Sequence, residues 1–361
     1  MAAKIPATVV TGFLGAGKTT LIRHMLANAG GKRIALIINE FGDLGVDGEI
    51  LKGCGIEGCA DDDVVELSNG CICCTVAEDF IPTLKKLIER ENAPDHIVIE
   101  TSGLALPQPL VRAFNWPDIR TRVTVDGVVT VVDGPAVEAG QFAADIAAVD
   151  AQRAADDGLD HETPLSELFE DQMACADMVV VNKSDLLGEA RAEALAAKLR
   201  DAARDGVQVI QASHGAVDPR VLLGLGIGAE DDLAARHEVH HHHHHDDEED
   251  DHDHDHHHEH GHDAFESFVV DLPEIADPAG FVAGVEAAIR AHGLLRVKGF
   301  AAVQGKPMRL VLQAVGPRID THYDRPFATG EARASRLVVI GQAGLDQPAI
   351  AAALQGMFEA A

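Results

Sequence analysis

The stretch TGFLGAGKTT at residues 11–20 has the residue types and spacing of a phosphate-binding loop, with the pattern G-x-x-x-x-G-K-[ST]. Glycines let backbone N–H groups wrap closely around phosphate oxygens, and the helix that follows points its positive end at the same anion. Lys18 supplies a positive charge for the β- and γ-phosphates, and the Thr19 hydroxyl is a ligand for Mg²⁺. The residues predicted to bind the nucleotide are Gly12, Gly15, Ala16, Gly17, Lys18, Thr19 and Thr20.

A second stretch, VVVNKSDLL, predicts which base the nucleotide carries. Asn182, Lys183 and Asp185 match N-K-x-D at the end of an apolar run. A carboxylate such as that of Asp185 accepts hydrogen bonds from two adjacent donors of guanine, whereas adenine presents a bare acceptor there. Because this motif follows the phosphate-binding loop in the right order, we predict that the nucleotide is GTP.

The stretch IVIETSGLALP lies between these two motifs and predicts the residues that respond to the γ-phosphate. Glu100 ends a strand where an acidic side chain can reach the Mg²⁺ shell, and Gly103 can release a loop that senses the γ-phosphate. Lys18, Glu100 and Gly103 are therefore assigned to hydrolysis. The alternative for Glu100 is an ordinary polar residue at a strand end.

Three cysteines in the stretch NGCICC predict a metal site. Cys71, Cys73 and Cys74 fall within four residues, a spacing that buried structural cysteines rarely show. Thiolates bind borderline or soft divalent metals, typically with tetrahedral geometry, so Co²⁺ and Zn²⁺ are the candidates. The sequence leaves open which of the three cysteines bind. Glu40 and Asp43, in NEFGDLGVD, are predicted either to add oxygen ligands or to hold Mg²⁺.

Composition excludes several other classes of function. The net charge of −30 argues against a nucleic-acid partner held through its phosphates. The sequence has neither an apolar run long enough to span a membrane nor the core of a signal peptide, so a cytoplasmic location is predicted. Cysteines stay reduced in that compartment. Cys54 and Cys59 are then loop or core residues or, alternatively, a metal clip, and Cys175 is a core residue.

Positioning these motifs requires a particular order of strands and helices. Up to about residue 213, continuous apolar runs alternate with helix-length segments, which indicates an α/β fold: the parallel sheet of a P-loop NTPase with helices on both faces. The predicted strands contain ATVVT, RIALIIN, HIVIET, GVVTVVD, DMVVVN and VQVIQAS. After about residue 264, four strand patterns and helices near 278–291 and 346–359 predict a small α+β C-terminal domain. The predicted domains are residues 1–230 and 264–361, joined by residues 231–263.

The joining segment, which we call the histidine tract, is too polar to build a core. Residues 231–263 carry 13 acidic residues and one arginine, and 14 of the chain's 20 histidines fall between residues 237 and 262. Imidazoles bind Co²⁺ and Zn²⁺, and carboxylates raise the local cation concentration. The tract is predicted to be a disordered linker that collects metal weakly. A solvated spacer without a metal role is the alternative.

Taken in order, the motifs TGFLGAGKTTL, INEFGDLGVD, NGCICC, VIETSGLALP and NKSD resemble those of the CobW family of P-loop metallochaperone GTPases. The resemblance covers nearly the whole chain except the histidine tract, and Cys-x-Cys-Cys is its most specific element. It implies GTP hydrolysis to GDP and phosphate, slow without a partner. It also implies metal binding through the cysteines, with Mg²⁺–GTP bringing the thiolates into ligand geometry and hydrolysis releasing the metal.

Within that family, the resemblance implies supply of Co²⁺ to the corrin ring in cobalamin biosynthesis, with a cobaltochelatase or another metal-acceptor protein as partner. Relatives with the same motifs serve zinc homeostasis, so a Zn²⁺ chaperone is the first alternative. A metal-storage or buffering protein that works through the histidine tract is the second. The number of metal ions per chain separates storage from delivery.

Overall fold

Two sheets, one parallel and one antiparallel, organise the chain. A computed structural model describes residues 4–39, 64–67, 80–155, 164–231, 233, 265–328 and 331–356. The described strands, in chain order, are β1 (Ile5–Thr11), β2 (Ile34–Asn39), β3 (Val64–Leu67), β4 (His96–Glu100), β5 (Val123–Asp133), β6 (Met178–Asn182), β7 (Gln208–Gln211), β8 (Phe265–Leu272), β9 (Arg296–Ala302), β10 (Met308–Val315), β11 (Arg318–Pro326) and β12 (Ser335–Gln342).

The helices cover the faces of these sheets. Those of the described residues are α1 (Lys18–Ala27), α2 (Ile81–Ile88), α3 (Pro107–Ala113), α4 (Pro117–Arg120), α5 (Gly134–Glu138), α6 (Ile146–Ala155), α7 (Leu165–Cys175), α8 (Glu189–Ala202), α9 (Pro219–Leu222), α10 (Pro278–His292) and α11 (Gln347–Gly356). Among the residues described, none of these helices is both long and apolar enough to cross a membrane.

The first sheet has seven parallel strands in the order β3-β2-β4-β1-β5-β6-β7. Strands β4 and β6 are buried along their whole length, as continuous apolar runs predict for a sheet covered on both faces. The predicted P-loop fold and all six predicted strands are confirmed. The additional strand is β3, a four-residue segment next to β2.

The second sheet is antiparallel, in the order β11-β10-β9-β12-β8. Helices α10 and α11 pack on one face of it around a core that includes Phe281, Val297 and Leu337. The predicted α+β region is confirmed, with α11 observed at Gln347–Gly356. Strand β11 was not predicted, because its sequence RIDTHYDRP is almost wholly polar and exposed. It is an edge strand held by backbone pairing to β10.

The two sheets meet at one end of the antiparallel sheet. Leu295 and Ile340 lie in the same buried apolar cluster as the α1 residues Leu21 and Met25. The side of the parallel sheet where β4, β5 and β6 begin, which we call the amino edge, also meets the second sheet: Arg318 of β11 reaches Asp177, just before β6. The opposite side, where those strands end, is the carboxyl edge.

Candidate nucleotide-binding site

The phosphate-binding loop lies between β1 and α1 at the carboxyl edge. Gly17 has a positive φ of 99°, and a Cβ atom added there would lie 2.2 Å from the Asn182 amide nitrogen. A larger residue at this position would therefore be both strained and blocked. The loop leads directly into the first turn of α1, whose N–H groups are the anion-binding end of the helix.

Lys18 turns back over the loop. Its Nζ donates hydrogen bonds to the carbonyl oxygens of Gly12 (2.8 Å) and Phe13 (3.3 Å), and the residue is only 7% exposed. The ammonium group is thus held inside the curve of the loop, where a phosphate group would lie. This placement supports the predicted role of Lys18 in neutralising phosphate charge.

The fold brings the side chains of Thr19 and Glu100 together. The Thr19 hydroxyl donates to Glu100 Oε1 at 3.0 Å, although the two residues are 81 positions apart in the chain. Strand β4 lies beside β1, so its final residue, Glu100, ends next to the loop that follows β1. A hydroxyl and a carboxylate at this spacing suit the oxygen coordination that Mg²⁺ prefers. The residues present therefore fit the metal that the loop motif implies.

Gly103 lies against the phosphate-binding loop. A Cβ atom at Gly103 would be 2.7 Å from the backbone nitrogen of Leu14, so only glycine allows this approach. Gln172, which the sequence analysis missed, holds the segment from the other side. Its amide nitrogen donates to the carbonyl oxygens of Gly103 (3.1 Å) and Ala105 (3.3 Å). Gln172 is fully buried on α7, and a single polar residue in a helix pattern gives no signal of such a role.

Asn182 joins the phosphate-binding loop to the loop after β7. Its side-chain nitrogen donates to the Ala16 carbonyl oxygen at 2.9 Å, and its side-chain oxygen accepts from the Gly215 N–H at 3.0 Å. The neighbouring Lys183 has a positive φ of 59° and forms a 2.6 Å ion pair with Asp133. Asp133, also missed from the sequence, ends β5 and caps α5 by accepting from the Ala136 N–H. The N-K-x-D motif is therefore held by three separate parts of the fold.

Asp185 occupies the outer side of this loop, with its side chain 35% exposed and its carboxylate 3.8 Å from His214 Nε2. The stretch QAS at residues 211–213 contacts the same loop, since the Ser184 hydroxyl donates to the Ala212 carbonyl oxygen and lies 3.3 Å from the Ser213 hydroxyl. Gln211 instead donates to Glu193. Asp185, Ser213 and His214 thus lie close together on the outer side of the base motif.

Apart from the predicted Mg²⁺ residues Thr19 and Glu100, the residues predicted to bind metal lie outside the described part of the chain. They are Cys71, Cys73 and Cys74, Glu40 and Asp43, and the histidines of the tract; Cys54 and Cys59 also lie outside it. In the described part of the chain, no three His, Cys, Asp or Glu side chains form a metal-binding group. Cys175 is fully buried in the apolar cluster beneath β1 and β4, as predicted.

Two protein families match this chain. The model described as "CobW/HypB/UreG, nucleotide-binding domain" matches residues 6–211, and the one described as "Cobalamin synthesis protein cobW C-terminal domain" matches residues 265–358.

Individual relatives match over nearly the full length. "Zinc chaperone CobW" of Sinorhizobium sp is 59% identical, with 98% of this chain and 97% of the relative covered. "Zinc chaperone CobW" of Pseudomonas aeruginosa is 53% identical, with coverage of 97% and 90%. "Zinc chaperone YjiA" of Escherichia coli is 31% identical, with coverage of 98% for both chains.

Proposed function

The chain belongs to the CobW/HypB/UreG family of GTPases, and on this premise we propose that it is a GTP-dependent metallochaperone that binds one divalent metal ion through its cysteine cluster. Hydrolysis of GTP to GDP and phosphate then lowers the affinity for the metal and allows transfer to an acceptor protein. The observation that carries the proposal is the convergence of Lys18, Thr19 and Glu100 at one edge of the sheet, beside the strand ends that lead to the cysteines.

The chain's own residues divide the work of hydrolysis. Lys18 neutralises charge on the β- and γ-phosphates, and the loop containing Gly103 responds to the γ-phosphate because it rests on the phosphate-binding loop. Thr19 and Glu100 would hold Mg²⁺, which would supply stabilisation of negative charge on the phosphate oxygens. Asn182, Lys183 and Asp185 bind the guanine base. Gln172 fixes the Gly103 segment, so it orients this loop without touching the nucleotide.

The strand order supports coupling between the nucleotide and the metal. Glu40 directly follows β2, and Cys71 comes four residues after the end of β3 at Leu67, which pairs with Asn39 of β2. Four extended residues span at most about 14 Å, and neighbouring strands are about 4.8 Å apart. Chain length alone therefore limits Cys71 to within about 14 Å of Leu67, the last residue of β3. We propose that a shift of the nucleotide-sensing loops reaches the cysteines through this connection.

Zinc is the metal we propose first. The Sinorhizobium and Pseudomonas relatives, which align with almost the entire chain, are both named zinc chaperones. The second candidate is Co²⁺ for corrin synthesis, with a cobaltochelatase as acceptor, and it is favoured by the name of the family that matches the C-terminal region. Thiolates accept both metals, and Zn²⁺ lies above Co²⁺ in ordinary ligand preference. Selection of Co²⁺ would therefore depend on its availability or on the acceptor.

We propose the domain division at residues 1–230, 231–263 and 264–361, with the histidine tract as a weak metal collector. Its sites are several and poorly selective, because a flexible chain loses conformational entropy at each coordination geometry that it adopts. Delivery uses the single thiolate site, so the two kinds of site differ in both number and affinity.

The test is titration of the full-length protein with Zn²⁺ and, separately, Co²⁺, with and without Mg²⁺–GTP. One tight equivalent is expected only with Mg²⁺–GTP, and bound Co²⁺ should show intense d–d and thiolate charge-transfer absorption. Serine at Cys71, Cys73 and Cys74 together should remove that equivalent and its spectrum. The matched control is serine at Cys54 and Cys59, which should leave both unchanged.

Three results would contradict the proposal. They are a tight site of equal strength without nucleotide, a spectrum that survives the triple serine replacement, or many equivalents of equal affinity. Deleting residues 237–262 should remove the weak equivalents and keep the tight one. Loss of the tight site in that deletion would favour metal storage by the histidine tract.

A further inference from the structure

Arg296 connects the antiparallel sheet to the segment that leads into the base-binding loop. It is the first residue of β9 and is 5% exposed. Its Nη1 donates to the carbonyl oxygen of Leu223 at 2.5 Å and to that of Arg220. Arg220 is the second residue of the four-residue helix α9 and Leu223 directly follows the helix, so both carbonyls are among the backbone acceptors that a short helix leaves unmatched. The guanidinium therefore caps α9 from outside the nucleotide-binding sheet.

The far end of the same segment contacts the predicted guanine site. Residues 212–223 run from the QAS stretch through Gly215 to the end of α9. The Gly215 N–H donates to Asn182, and a Cβ at Gly215 would lie 2.7 Å from the backbone nitrogen of Leu21 in α1. The position of this backbone is thus fixed against both the base motif and the helix that follows the phosphate-binding loop.

The middle of the segment packs against α1. Val217, Val221 and Leu222 are buried in the apolar cluster that contains Leu21 of α1. The adjoining glycine loop is fixed as well, because the Asp126 carboxylate accepts from the N–H groups of Gly224 (2.5 Å) and Gly226 (2.7 Å). Burial lowers the pKa of the Arg296 guanidinium, and the nearby negative charge of Asp126 counteracts that effect.

We propose that Arg296 is a positioning residue for guanine recognition: by holding α9, it keeps Ser213 and Gly215 in register with Asn182 and Asp185. Docking of the C-terminal sheet thereby sets the discrimination among purine bases. By linkage, occupation of the base site strengthens the contact of Arg296 with α9. This inference rests on the proposed guanine site.

If the role of Arg296 were purely structural, a different result would be expected. Arg318 is the control for such a role, because it also extends from the antiparallel sheet and donates to the buried carboxylate of Asp177, at 2.9 Å. Asp177 lies just before β6, at the amino edge, whereas the base motif begins at the other end of that strand. If both arginines act only to hold the sheets together, replacing either should lower stability and leave base preference alone.

The experiment measures dissociation constants for GDP and for inosine diphosphate, which lacks the exocyclic amine of guanine, by calorimetry on the full-length protein. Wild type, Arg296→Gln, Arg296→Lys and Arg318→Gln are compared. The preference for GDP should fall about 5-fold in Arg296→Gln, less in Arg296→Lys, and stay unchanged in Arg318→Gln. An unchanged preference in Arg296→Gln, whatever its thermal stability, overturns the proposal. A wild type that does not distinguish the two nucleotides overturns the guanine site itself.

If Arg296→Gln does not fold, hydrogen exchange in the wild type tests whether the base site and the Arg296 contact are coupled. GDP should slow exchange of the backbone amides of residues 215–223 and leave those of α10 unaffected. Equal exchange at residues 220–223 with and without GDP would show that the base site and the Arg296 contact are not coupled.

Discussion

The polar residues at the two edges of the parallel sheet differ in backbone conformation and in burial. At the carboxyl edge, Lys183 and His214 have positive φ angles of 59° and 53°, and His214 lies largely exposed beside Asp185. At the amino edge, Asp177 and Arg204 are buried and contact each other. Backbone strain of this kind costs about 1–3 kcal/mol per residue and is typical of binding sites. Substitutions at the carboxyl edge should therefore affect nucleotide binding, and those at the amino edge should affect stability.

The largest effect is expected from Asp177→Ala at the amino edge. The carboxylate accepts from Arg204, from Arg318 and from the Val128 N–H, so its loss leaves buried donors unmatched. Unfolding free energy should fall by about 3–5 kcal/mol. Urea denaturation measures this.

The matched control is Asp95→Ala, which removes an exposed carboxylate that pairs with the Arg33 guanidinium and accepts from the Arg33 N–H. That change should cost at most about 1 kcal/mol. Equal losses in the two variants would remove the distinction between buried and exposed acids on which the comparison depends.

Lys18→Ala, at the carboxyl edge, should lower the rate of GTP hydrolysis strongly and the stability of the protein only slightly. GTP hydrolysis at saturating Mg²⁺–GTP should fall about 10²- to 10³-fold, because the positive charge over the phosphates is lost. Unfolding free energy should change less than in Asp177→Ala, by about 1–2 kcal/mol, because the lost charge-assisted hydrogen bonds to two carbonyls are offset by no longer burying an ammonium group. Phosphate release measures the first quantity. Arg23→Ala, exposed on the same helix, is the control and should hydrolyse GTP at the wild-type rate.

The buried imidazole of His96, at the amino edge, should make the unfolding free energy of the protein depend on pH. Burial lowers its pKa from 6.5 to about 4, although the carboxylate of Asp126 lies 4.0 Å away and acts in the opposite direction. The unfolded chain then binds the extra proton, so stability is fully present above pH 6.5 and is lost as the pH falls towards 4. The loss should approach about 3 kcal/mol.

Urea denaturation across this pH range, in wild type and His96→Gln, measures that contribution. The variant should lose less stability on acidification than the wild type. His214→Gln, which removes an exposed histidine at the opposite edge, should follow the wild type. Parallel curves for wild type and His96→Gln would refute the assignment.

Asp185→Asn should give the smallest effect. It should lower the selectivity for GTP over ATP. An amide presents one acceptor to the two guanine donors, so GTP affinity should fall about 10- to 100-fold while the weak affinity for ATP stays the same. Competition binding against a fluorescent guanine nucleotide measures both. Asp205→Asn, an exposed acid that precedes β7, should bind GTP as the wild type does. Equal affinity of the wild type for GTP and ATP would contradict the guanine site.

The pattern of apolar residues in the sequence predicted most of the strands and helices. It missed strands β3 and β11, each for a physical reason. The buried strands β4 and β6 are continuous apolar runs, which any sheet covered on both faces requires. Strand β3 is a four-residue edge strand whose sequence VVEL is interrupted by a glutamate, so it lacks a continuous apolar run and is held by backbone pairing with β2. Strand β11 is exposed and mostly polar from Asp320 onwards, and only Ile319 packs against the core, so its strand character comes from backbone pairing with β10.

The sequence by itself determined the phosphate-binding loop, the base motif and the order of the strands that carry them, because these depend on residue types at short, fixed spacings. Only the tertiary structure decided which distant residues meet. Gln172 against Gly103, Asp133 against Lys183, and Arg296 against the end of α9 are set by strand order and by side-chain direction. Such contacts join positions far apart in the chain, and neither partner carries a local pattern that specifies the other.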